Sequence, residues 1–390
     1  MKRAGILFAL GLSLGLAGCV STEPRPEYKL TGDPVADGEH FIDFGPQRDK
    51  VLWQYRTSLA AMHNGDFDTA KRYLDDAIAR ISNIFGKDEE AKKSRSTFQA
   101  ESRKTFIGEP YERVMAWYYR GILYWMDGEP DNARACFRSG QLADSDAEKK
   151  SYASDYVLLD YLDGYATLKL GGDGTGAVQR AVSVAKQWKP PTFSTKANLL
   201  VFVDYGGAPE KYASGSYGEQ LRFAARPSPV YSAIVKLQGG TGKAVPYDDL
   251  LFQATTRGGR VMDHVLANKA VFKKSTDAIG DAALVSGAIL ATGEDTGAAG
   301  LAVMGVGLVS KIFSSAASPE ADVRTWDNLP RFLSFVAFEA PPGEHTLTVD
   351  FLDEAGRPLS NLTKTAVVTV DAGRDKVIYV SDKSTTPQKL

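Results

Sequence analysis

Along residues 49 to 190 the apolar positions recur three and four apart, which predicts a run of helices. In "NGDFDTAKRYLDDAI", Gly65 and Asp66 mark a turn, and Ala70, Leu74 and Ala77 then fall on one helical face. "WYYRGILYWMDGEPDNARACFRSG" repeats that plan, with Trp117, Gly121 and Tyr124 on a first helix, Gly128 at the turn, and Ala133, Phe137 and Gly140 on a second. Small residues at such offsets let two helices approach closely, and large ones fill the groove between them. A third unit, "LDYLDGYATLKLGGDGTGAVQRAVSVA", carries Gly164 and a glycine-rich turn but needs a one-residue insertion to bring Ala177 into register. Ala70 and Ala133 are further apart than one repeat of about 34 residues. The stretch between the units, "GKDEEAKKSRSTFQAESRKTFIGEPYER", is highly charged and reads as a solvated helical excursion.

After Lys189-Pro190-Pro191 the period changes. Over residues 196–260, "NLLVFVDYGG", "YSAIVKLQGG" and "DDLLFQATT" are short β-type runs ended by glycine or polar turns. Residues 261–316 return to helix and include the small-residue segment "TGEDTGAAGLAVMGVGLVSKIF". Its apolar pieces, Ala278 to Leu290 and Ala298 to Val309, fall short of the roughly 20 residues a spanning helix needs, so a packed helical hairpin is expected. Residues 317–383 alternate apolar and polar positions between Pro-Gly and Ala-Gly turns, which predicts antiparallel strands. Strands on both sides of a helical segment predict one β domain with helices inserted into it. The fold class is therefore α+β: an N-terminal helical repeat domain, then a small antiparallel β domain with an inserted helical segment.

The N-terminus has a different texture. Lys2 and Arg3 precede an apolar run, Ala4 to Gly18, too short to span a bilayer and laid out like an export signal. Leu16-Ala17-Gly18-Cys19 resembles the bacterial lipobox, which implies removal of residues 1–18 and a diacylglycerol on the Cys19 thiol. Residues 19–48, polar and with four prolines, read as a lipidated tether able to reach about 95 to 105 Å if fully extended. Val20, rather than Asp, after the cysteine implies by the same resemblance sorting to the outer membrane, with the chain on its periplasmic face.

Charge excludes one class of partner. The chain carries 46 Lys and Arg against 48 Asp and Glu, a net charge of −2, with no extended basic face for nucleic acid. Hydrophobic residues make up 43 %, enough for two or three cores. Beyond Cys19 the chain has one cysteine, Cys136, so no intramolecular disulfide follows; on a helical pattern it reads as a buried small hydrophobe.

Catalytic motifs fail on inspection. "GGTGK" has Leu237 where a phosphate loop needs its first glycine and Ala244 where it needs a magnesium-binding hydroxyl, so it reads as a β-turn. "GGDGTG" follows a helix rather than a strand. "SGSYG" begins with serine and lacks the apolar strand that leads into a nucleophile elbow. His40, His63, His264 and His345 are scattered without metal-ligand spacing. No enzyme, cofactor or metal is expected.

The helical offsets resemble the tetratricopeptide (TPR) repeat, whose first helices line an inner face that binds partner peptides. Carried onto this chain, that face holds Tyr55, Arg56, Met62 and His63 in the first unit and Met115, Tyr118, Ile122 and Trp125 in the second, although "WYYRGILYW" reads equally as helix packing covered by the third unit or the charged stretch. With the lipobox, "FIGEPYERVMAWYYRGILYWMDGEPDNARACFRSGQLAD", "LLVFVDYGGAPEK" and "ADVRTWDNLP", the chain resembles a poorly characterised family of bacterial envelope lipoproteins with TPR-like repeats. The resemblance implies a non-enzymatic, outer-membrane-anchored scaffold holding a protein partner in envelope assembly or maintenance. The alternative is a peptidoglycan or glycan binder using β-domain aromatics, Trp326, Phe332, Phe335 and Phe338; a cryptic envelope hydrolase comes third.

Overall fold

The computed structural model describes residues 28–85, 105–145, 153–192, 194–256 and 321–385. Cys19 and the leader, His264 and the expected hairpin at 278–309 lie outside the described residues. Helices come first and strands follow, in one mixed α and β body.

The helical half begins earlier than its polar composition implied. Helix α1 (Pro34–Phe44) lies inside the stretch read as tether, with the Asp33 side chain accepting from Val35 N and Ala36 N and proline in the first turn. It packs on α2 (Lys50–His63) so closely that a Cβ on Gly38 would lie 2.0 Å from Thr57 Oγ1. α2 and α3 (Phe67–Phe85) form a first helical hairpin, α4 (Pro110–Met126) and α5 (Pro130–Asp144) a second, α6 (Val157–Lys169) and α7 (Thr175–Val184) a third. Ala70, Leu74, Ala77, Ala133, Phe137 and Gly140 are all buried, as their spacing predicts. In the second hairpin a Cβ on Gly121 would lie 2.6 Å from the Phe137 ring, and in the third one on Gly174 would lie 2.0 Å from Gly164 O. The C-terminal end of the charged stretch departs from its expected solvation. Phe106 is buried and its amide donates to Arg48 O at 2.8 Å.

The β half is a sandwich. Its inner sheet has the order β10-β1-β7-β6, built from β10 (Lys376–Ser381), β1 (Leu199–Tyr205), β7 (Phe332–Phe338) and β6 (Asp248–Asp249). The outer sheet has the order β5-β4-β8-β9, built from β5 (Gly240–Ala244), β4 (Ser232–Leu237), β8 (Gly343–Leu352) and β9 (Lys364–Val370). β2 (Pro209–Ser214) and β3 (Gln220–Ala225) form a separate hairpin, and the short helix α8 (Leu250–Thr255) follows β6. Pairing is antiparallel as expected except between β1 and β10, which run parallel. Strands from both sides of residues 257–320 share one sheet.

"GGTGK" is the β4–β5 hairpin: Gly239 takes a φ of 90° at the turn, and Leu237 pairs with Gly240. A Cβ on Gly242 would lie 2.2 Å from Val336 Cγ1, so glycine is what lets the outer sheet close onto the inner one there.

β1 explains the layering. Its run "LLVFVDY" is buried at every position because both faces are covered. Leu199, Val201, Val203 and Tyr205 face the outer sheet, in one cluster with Val235, Val349, Phe351 and Val368. Leu200 and Phe202 belong to the other cluster, with Phe335, Tyr379 and the helices. The order of layers is thus helices, inner sheet, outer sheet, and helices and strands share a continuous core.

Candidate functional site

The residues expected to receive a partner peptide are covered by other parts of the same chain. Tyr55, Met62, His63, Met115, Tyr118, Ile122 and Trp125 are all buried. Tyr55 stacks on Trp326 with centroids 4.4 Å apart, Tyr118 meets Phe202 edge-on at 6.2 Å, and His63 stacks on Tyr379 at 6.3 Å. Trp125 donates from Nε1 to Asp375 Oδ2 at 3.1 Å. Arg56, the one less buried member, donates to Thr325 O at 2.8 Å and pairs with Asp327 at 3.0 Å. These residues therefore pack against the inner sheet, the segment before β7 and neighbouring helices, and do not line an open groove. The β-domain aromatics are corrected likewise: Trp326 and Phe335 are buried, and Phe332 and Phe338 are half-buried against the sandwich core.

Four ionisable side chains, absent from the sequence-based site, lock the layers together. Glu112, at the third position of α4, accepts from Glu109 N at 2.7 Å, Trp326 N at 2.7 Å and Lys211 Nζ at 2.6 Å. Lys211 also donates to Arg324 O at 2.9 Å, and burial holds its ammonium below the usual lysine range despite the Glu112 charge. Asp248 on β6 accepts from Val157 N and Leu158 N, each at 2.8 Å, which caps α6; burial nevertheless pushes its carboxyl up to about 7. Asp204 on β1 accepts from the Tyr119 hydroxyl at 2.8 Å, and burial pushes it up to about 8. Asp204 had a sequence signal, an acid inside a continuous apolar strand. Lys211 had none, because its partner lies on a helix far away in sequence.

The cysteine and the histidines among the described residues are engaged within the fold. Cys136 is buried, and burial pushes its thiol up to about 12. His63 is held neutral by burial, down to about 3. His40 stacks on Tyr28, and His345 is buried with Nε2 2.7 Å from Pro341 O. Among the described residues no group of three His, Cys, Asp or Glu side chains is placed to hold a metal ion. Among the same residues no helix is long and apolar enough to cross a membrane.

A concave feature among the described residues is open to solvent. A cleft of about 270 Å³ lies between the start of α3, the end of α4 and the β9–β10 turn. Phe67, Met126 and Val377 give it apolar walls; Lys71, Asp127, Asp371, Arg374 and Lys376 give it charges of both signs. Lys71 is already paired with Asp127 at 2.7 Å. Asp371 and Arg374 have no ion-pair partner among the described residues. The Arg374 guanidinium lies over the α4–α5 turn, where a Cβ on Gly128 would come within 2.7 Å of it. Comparison with protein-family models, with curated proteins and with solved structures finds no match.

Proposed function

We propose that this chain is an outer-membrane-anchored periplasmic lipoprotein, acting as a non-enzymatic scaffold for a protein partner in envelope assembly or maintenance. The observation that carries the reading is the sequence Leu16-Ala17-Gly18-Cys19 at the end of a charged-then-apolar leader. The three helical hairpins are consistent with TPR-like units, and the buried acids and tyrosines between helices and sheet serve as fasteners, which supports a structural rather than a catalytic role. Because the inner helical face is covered, the partner is held on outer surfaces, such as the solvent face of α5 around Leu142 or that of β9 around Val367, two exposed apolar side chains. Photo-crosslinkers placed at Leu142 and Val367 in growing cells test this. Capture of one defined envelope protein at either site supports the scaffold, and an absence of adducts at both contradicts it.

The second reading, peptidoglycan binding, is favoured by a specific observation: the cleft offers an unpaired guanidinium and an unpaired carboxylate beside apolar walls, which suits a short zwitterionic peptide. On that reading Arg374→Glu abolishes retention on isolated sacculi while leaving the fold intact.

A further inference from the structure

A chain of aromatic rings runs along the outside of α1 and α2. Tyr28 stacks on His40 at 3.6 Å, His40 meets Phe44 at 5.0 Å, and Phe41 stacks on Trp53 at 4.3 Å. Tyr28, His40, Phe41 and Trp53 are only half-buried. Phe44 is 61 % exposed and Leu30, just before α1, is 70 % exposed. Rings with an apolar body and a polar tip, half in and half out of a protein surface, suit the headgroup level of a bilayer. Of the acids in and before α1, Asp43 is exposed beside Phe44 and the other three are engaged within the protein. Asp33 caps the helix, Asp37 accepts from Tyr28 and Thr31, and Glu39 holds Arg72 and Tyr73.

We infer that this aromatic strip, with Leu30 and Phe44 at its edge, seats the protein on the lipid surface to which its N-terminus is tied. The inference rests on the proposed lipidation of Cys19. Tyr28 lies only nine positions beyond Cys19, a reach of about 30 Å at full extension. That is less than a third of the tether expected from composition, because α1 takes up most of the remainder. A leash so short brings α1 and α2, and not the outer sheet on the far side of the inner one, to the membrane. The strip carries no basic cluster, so it reads zwitterionic lipid as well as anionic lipid.

The test uses the full lipidated chain in phosphatidylcholine vesicles with and without a doxyl-labelled phosphatidylcholine. Cys136 is buried and Cys19 is acylated, so an environment-sensitive fluorophore is directed to Asp43→Cys beside Phe44, or to Val367→Cys on the outer sheet. Quenching at position 43 several-fold above that at 367, abolished by adding Leu30→Ser and Phe44→Ser, supports the seat. Equal quenching at 43 and 367 in protein that floats with the vesicles overturns it and leaves the lipid anchor standing. Protein that does not float overturns both.

Discussion

Lys211 on β2 and Glu112 on α4 meet with 2.6 Å between Nζ and Oε2, their side chains 2 % and 0 % exposed. The pair ties the strand half of the chain to the helical half at the point where Trp326 also donates to Glu112. Burying two charges is costly, and what keeps the pair viable is that the hydrogen-bonding capacity of Glu112 is filled by backbone amides as well as by lysine.

Lys211→Met leaves the Glu112 carboxylate buried and unpaired. The expected loss is about 3–5 kcal/mol in urea unfolding. Adding Glu112→Gln, which keeps an acceptor for Trp326 N, should restore most of it. A single variant as stable as wild type would show that the pair does not hold the layers.

Tyr118 and Trp125 stand as core. Replacing either with alanine is expected to cost about 3–5 kcal/mol, visible as a lowered circular-dichroism melt. Loss of partner capture with an unchanged melt would instead return them to the surface.

Buried acids set the alkaline limb of stability. Burial raises Asp204 to about 8 and Asp248 to about 7, so the folded state holds protons that the unfolded chain releases near about pH 3.9. Stability therefore falls as pH rises between those values. His63 works in the opposite sense: burial lowers it to about 3, so its cost appears as pH drops below about 6.5, where the unfolded imidazole gains a proton. Between about pH 6.5 and 8.5 Asp204 dominates, and the urea midpoint is expected to decline. Asp204→Asn keeps an acceptor for the Tyr119 hydroxyl and should flatten that decline; an equal decline in the variant contradicts the assignment.

Gly242→Val would place a side chain where Val336 Cγ1 already lies 2.2 Å from a Cβ. Separation of the sheets should cost about 1–3 kcal/mol, read from a thermal melt. An unchanged melt would mean that β5 can lift off without consequence.

Sequence periodicity located the parts better than their relations. Ala70, Leu74 and Ala77 could be placed on one face because helix geometry is local, and "NLLVFVDYGG" reads as a strand, though not as one covered on both sides. Asp33-Pro34 is a recognisable helix start, but the polar "PVADGEHFIDF" after it has weak periodicity and hid α1 within the tether. Tyr118 is met by the strand residue Phe202, and Trp125 is bonded by Asp375 of the β9–β10 turn, both distant in the chain. No pattern within the helices could show that the groove was already filled. The parallel β1–β10 pair joins the first and last strands and was hidden for the same reason.

The most direct test of the account is mass spectrometry of the protein's N-terminal peptide from isolated membranes. The account predicts that the chain begins at Cys19, with a diacylglycerol thioether on its sulfur and acyl chains that disappear in Cys19→Ser. An N-terminal peptide that retains residues 1–18, or a Cys19 carrying a free thiol in the mature protein, would contradict it.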